Sequence, residues 1–96
     1  MLKNVLKETF EIMKIELSKS YNIDTVFSGT TCVIVLIQKN FCICANLGDS
    51  RAVLGTNFND GWVVACLSND HKPDDVNEKN RIEKNGGIVK ACKGII

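Results

Sequence analysis

Two consecutive stretches, Val33-Ile34-Val35-Leu36-Ile37 and Phe41-Cys42-Ile43-Cys44-Ala45, are apolar at nearly every position rather than at every second one. Successive side chains of a strand point to opposite faces, so an apolar, largely β-branched run without alternation describes a strand that needs cover on both sides. The polar break Gln38-Lys39-Asn40 between the two runs reads as a hairpin turn. Cover on both faces demands helices or a second sheet, and a chain of 96 residues cannot easily supply it.

The flanking sequence supplies part of it. Leu2, Leu6, Phe10, Met13 and Leu17 recur at steps of three and four, with Lys3, Lys7, Glu11, Lys14 and Lys19 mostly off that line. That spacing predicts an amphipathic N-terminal helix, its apolar surface widened by Ile12 and Ile15. Asn22-Ile23-Asp24 reads as a loop. Beyond the first hairpin, Arg51-Ala52-Val53-Leu54 predicts a third strand and Trp62-Val63-Val64-Ala65-Cys66-Leu67 a fourth, joined by a loop over Asn57-Phe58-Asn59-Asp60-Gly61. The expected sheet is a β-meander. After Pro73, Asp75-x-x-Glu78 resembles a capping box, and Gly86-Gly87 is a helix stop, so a short helix is expected from about 75 to 85. Gly87-Ile88-Val89-Lys90-Ala91 predicts the start of another strand, and the chain then reaches Ile95-Ile96 without a cap or polar tail. The fold class expected is α+β, in one domain spanning 1–96, with no internal repeat or linker.

Composition excludes several classes. Twelve basic and eleven acidic residues leave a net charge of +1, so no basic stripe suited to nucleic acid is present. Lys3, Lys7 and Glu8 interrupt any signal-peptide core near the N-terminus, and the apolar run Cys32 to Ile37 falls far short of the ~20 residues a membrane span needs. The five cysteines, Cys32, Cys42, Cys44, Cys66 and Cys92, are odd in number and sit mostly among Val, Ile and Leu. They read as free thiols in a cytoplasmic or nuclear protein. Cys42-x-Cys44 matches neither a redox pair nor a zinc knuckle.

Three short segments carry polar groups that invite chemistry. In Asn46-Leu47-Gly48-Asp49-Ser50-Arg51 a carboxylate leaves the end of a strand beside a glycine, which allows another group to approach closely and suits an oxygen ligand for Mg²⁺ or Mn²⁺. The other reading of Asp49 is a turn residue hydrogen-bonding its own backbone, and spacing alone favours it. Ser28-Gly29-Thr30-Thr31 lacks the phosphate-cradling Gly-Lys pattern and reads as a turn entering a strand. Asp70-His71-Lys72-Pro73 holds the single histidine beside an acid; a structural polar turn is favoured there over an acid/base pair.

Taken together, these segments resemble the central part of the type 2C protein phosphatases, the PPM family of metal-dependent Ser/Thr phosphatases. Ser28-Gly29-Thr30-Thr31 is similar to the family's SGTT motif, and Ala45-Asn46-Leu47-Gly48-Asp49-Ser50-Arg51-Ala52-Val53-Leu54 to its AN-x-GDSRAVL motif. Asp70-His71-Lys72-Pro73, then Glu78, Arg81-Ile82, Gly86-Gly87 and Val89, follows its DHKP and GG-x-V run. The resemblance covers about residues 28 to 90, in the family's order.

The resemblance implies an antiparallel β-sandwich flanked by helices, of which this chain is a part. It also implies Mg²⁺ or Mn²⁺ as cofactor, phosphoprotein substrates, and in-line attack on a phosphoserine or phosphothreonine by water activated between two metals. Carried over by motif, Asp49 is the one metal ligand implied, at an accessory third site. No catalytic residue is carried over, because the N-terminal Asp-Gly and C-terminal Asp-Gly-x-Trp-Asp and Asp-Asn motifs do not occur in this sequence. His71 belongs to DHKP and is not the general acid. The expectation is a partial catalytic domain, inactive alone and prone to self-association, with a truncated non-catalytic binding or regulatory relative as the alternative.

Overall fold

The computed structural model describes residues 1–92. Its elements are α1 (Leu2–Lys19), β1 (Cys32–Gln38), β2 (Phe41–Leu47), β3 (Val53–Phe58), β4 (Gly61–Cys66) and α2 (Val76–Lys84). This is the expected α+β composition, with a helix at each end of the strand region.

The strands form two separate antiparallel ladders, β1 with β2 and β3 with β4. The expected meander is therefore corrected: β2 and β3 are neighbours in sequence and are not paired. The reason lies in residues 48–52, where Gly48 and Ala52 direct their backbone groups to the segment after β4 rather than to a neighbouring strand. In the first ladder Gln38 pairs with Phe41, leaving Lys39-Asn40 as a two-residue turn. In the second Phe58 pairs with Gly61, so the loop expected over five residues contracts to Asn59-Asp60 and the third strand begins later than Arg51.

Helix α1 lies against β2, with Lys3, Leu6, Lys7 and Phe10 facing Ile43, Cys44, Ala45 and Asn46 across a groove. Leu2, Leu6, Phe10 and Leu17 are half-buried, but Met13 is 55% exposed and belongs to the predicted stripe only by spacing. The two ladders do not stack on one another among the described residues. No described residue is fully buried, and Trp62 on β4 is 72% exposed.

Helix α2 shows its sequence signals in atomic detail. Asp75 Oδ2 accepts the N–H groups of Asn77 and Glu78, both at 3.1 Å, which satisfies two orphan donors of the first turn. The capping box is half formed, because the Glu78 carboxylate turns to Arg81 instead of reaching back to residue 75. At the other end Gly86 adopts φ of +87°. Gly87 N–H bonds Ile82 O and Gly86 N–H bonds Glu83 O, the paired arrangement of a Schellman stop. The strand expected from Gly87 to Ala91 is not formed; this segment runs on without regular structure and pairs with no described strand. Residues 93–96 lie outside the described residues.

Candidate functional site

Three of the motif segments meet at one polar junction between the ladders. The loop after β2 (Gly48 to Ala52) and the loop after β4 (Leu67 to His71) are sewn together by backbone and side-chain bonds. Leu67 N–H donates to Ala52 O at 2.9 Å, and Ala52 N–H donates to Ser68 Oγ at 3.0 Å. His71 N–H donates to Gly48 O at 2.9 Å, and Gly48 N–H returns to His71 Nδ1 at 3.1 Å. Asn46 Nδ2 donates to the carbonyls of Gly48 and Asn69, at 3.1 and 3.0 Å. Because its amine end must face two carbonyls, the amide orientation of Asn46 is fixed. Its Oδ1 is enclosed and has no hydrogen-bond partner among the described residues. Leaving such an acceptor unmatched costs about 1–3 kcal/mol, which the two donated bonds offset.

Arg51 and Asp70 close the junction on one side through a two-pronged ion pair, Nε to Oδ1 at 2.9 Å and Nη2 to Oδ2 at 2.7 Å. The Arg51 guanidinium holds the Asp70 carboxyl below its ordinary value, against the desolvation that pushes it up. Glu78 is held down in the same way by Arg81. Both pairs border one open cleft, together with Cys66, Ser68 and His71. The Asp70-His71 unit lies in a segment without regular structure, and its polar groups serve the junction. Its carboxylate is occupied by Arg51 and the Nδ1 of its imidazole by a backbone donor.

Ser28-Gly29-Thr30-Thr31 enters β1 without regular structure and reaches the junction through its last residue. Thr31 Oγ1 shares a hydrogen bond with Ser50 Oγ at 2.7 Å. A Cβ on Gly48, where φ is +107°, would lie 2.5 Å from Thr31 Cγ2. So the group that the glycine admits is the Thr31 methyl, and neither φ nor the space at residue 48 accommodates a side chain.

Asp49 stands apart from this network. It is exposed, and none of the bonds in the loop involves its carboxylate. The self-bonded turn that spacing favoured occurs instead at Asp24, whose Oδ1 accepts Val26 N–H at 2.9 Å and Phe27 N–H at 3.2 Å. A free carboxylate on a fixed loop suits one oxygen ligand of a hard cation. Among the described residues no group of three or more His, Cys, Asp or Glu side chains converges to hold a metal, so the chain offers a ligand rather than a metal site. The five cysteines are free thiols, and Cys42 and Cys44 join no such group. Sequence reasoning quoted Asn46, Ser50 and Thr31 within motifs but gave none of them its partner, and it overlooked Ser68 and Asn69 altogether. Each pairs across 19 residues or more, or across the second hairpin, where local pattern carries no signal.

The family model for Protein phosphatase 2C matches residues 1–96. The chain belongs to the protein phosphatase 2C family. Among curated relatives, it is 46% identical over 85 residues to probable protein phosphatase 2C 12 of Oryza sativa subsp. japonica, an alignment that covers 88% of this chain and 22% of that protein. It is 45% identical over 74 residues to probable protein phosphatase 2C 3 of Paramecium tetraurelia, covering 74% and 22%. To probable protein phosphatase 2C 41 of Arabidopsis thaliana it is 38% identical over 87 residues, covering 88% and 25%. The chain therefore spans about a fifth to a quarter of these phosphatases. No solved structure matches it.

Proposed function

We propose that this chain is the central portion of a Mg²⁺- or Mn²⁺-dependent protein serine/threonine phosphatase, acting on phosphoserine and phosphothreonine in cytoplasmic or nuclear proteins, and that Asp49 is a ligand of an accessory metal. Membership of the protein phosphatase 2C family supports the reaction class. The observation that carries the assignment of Asp49 is its free carboxylate in a loop whose other polar side chains are engaged. The divalent cation, when bound, supplies charge stabilisation at phosphoryl oxygens and a more acidic water. Gly48, Ser50 and Arg51 hold the loop in place, and the two ladders are the part of the implied sandwich that this chain contributes.

With one carboxylate ligand and no catalytic residue, the chain alone is expected to show no Mn²⁺-dependent hydrolysis of p-nitrophenyl phosphate. Turnover above a metal-free blank that disappears in Asp49→Ala would falsify this. The apolar faces left open on both ladders are expected to drive self-association, and a monodisperse monomer by light scattering would count against that.

A further inference from the structure

Gly48 has both of its backbone hydrogen-bonding groups engaged by one distant residue, His71, through an N–H to Nδ1 bond and a carbonyl to N–H bond. Asn46 places a further bond on the same carbonyl. Three residues along, Arg51 is gripped in two places by Asp70, the neighbour of His71. Between these two fixed points, Ser50 is tied to Thr31. The adjacent pair Asp70-His71 therefore acts as a staple across the loop, and between its prongs the Asp49 side chain has no hydrogen-bond partner among the described residues. A glycine at φ of +107° has wide conformational freedom of its own, so what fixes the direction of the next residue is the set of bonds made to it.

We propose that His71 is a positioning residue for Asp49: it acts through Gly48 and sets the direction in which the Asp49 carboxylate leaves the loop, without touching that carboxylate. This rests on the reading of Asp49 as a cation ligand, and a ligand is useful only when held to within about 0.5 Å of its working place. The imidazole suits the task because an unprotonated Nδ1 accepts the Gly48 N–H from a ring too rigid to follow the loop. The Arg51 to Asp70 pair anchors the backbone from which that ring projects. An asparagine at position 71 presents Oδ1 close to where Nδ1 stands and keeps the acceptor; an alanine removes it.

The test uses the ¹⁵N-labelled chain with His71→Ala, His71→Asn and Asp49→Ala. Amide exchange reads Gly48, and added Mn²⁺ reads Asp49 through paramagnetic broadening of the amides of residues 49–51. His71→Ala is expected to lower Gly48 protection roughly ten-fold, the weight of one hydrogen bond, and to weaken the broadening, while amides of the β1–β2 ladder keep theirs. His71→Asn is expected to restore both. Free exchange of Gly48 in the wild-type chain, or protection unchanged in His71→Ala, overturns the proposal. So does broadening that Asp49→Ala abolishes and His71→Ala leaves intact. Broadening that survives Asp49→Ala instead overturns the ligand reading on which the proposal rests, so the two failures are told apart.

Discussion

The β1–β2 and β3–β4 ladders are both rich in apolar residues and sit in very different surroundings. In the first, Ile43, Cys44, Ala45 and Asn46 are half-buried along the groove they share with α1, and Cys32, Val33 and Leu36 of the partner strand are half-buried without touching that helix. In the second every residue is exposed, including Val53, Leu54, Val63 and Val64. The difference teaches that apolar pattern specifies what a strand requires and not what it receives. An amphipathic helix reaches one ladder, and among the described residues the other is held at its base by the polar junction.

The strongest way to break this contrast is to remove what joins the ladders. Gly48→Ala places a methyl group against Thr31 in a backbone region that L-residues avoid, and is expected to cost about 1–3 kcal/mol at the junction. Thermal or denaturant unfolding would measure it, with loss of Thr31 to Gly48 proton contacts as the local sign. Next, Phe10→Ser withdraws part of the α1 cover and is expected to cost about 1 kcal/mol, given that Phe10 is half-buried. Faster amide exchange confined to β1–β2, with β3–β4 unchanged, would sharpen the contrast, and an equal rise in both would break it.

A smaller effect is expected from Arg51→Met, and it carries a pH signature. The Asp70 carboxyl is held below its ordinary 3.8 in the folded chain, so the stabilisation is present above that value and is lost as the pH falls through the lower folded value. Exchange at Leu67 and His71 should accelerate in acid below about pH 4 in the wild type, and the variant should lose that step. Smallest of all, Met13→Ser should lower the melting temperature only slightly, by the weaker helix propensity of serine, because Met13 is more than half exposed despite its place in the helical spacing.

Where local chemistry decides the structure, it was readable in advance. The turn between Gln38 and Phe41, the Asp75 cap and the Gly86 stop follow from residues within a few positions of one another. The α+β composition and the two hairpins follow as well. The pairing of β2 with β3 and a strand over 87–91 were inferred from β-propensity, yet a strand exists only where a partner edge accepts it. Residues 48–52 spend their backbone groups on the loop after β4, and Ile88 to Ala91 meet no described strand. As for the candidate site, the position of Asp49 was legible beside Gly48. That it makes no hydrogen bond among the described residues was not, since that depends on Asn46, Ser50 and Arg51 finding partners in Asn69, Thr31 and Asp70.

The bond from Gly48 to His71 closes a span of 23 residues, and that length bears on the order in which the chain assembles. Ordering so long a segment for one backbone bond and one bond to an imidazole is unfavourable on an open chain, whereas each halving of the span is worth about 0.6 kcal/mol in closure entropy. The β3–β4 hairpin lies wholly inside the span, and its local contacts shorten the gap to the few residues flanking it. Pulse-labelled exchange should therefore show β3–β4 protected before Gly48; protection in the reverse order would refute this. The loop that carries Asp49 is then a late event in folding, shaped by the hairpin that follows it.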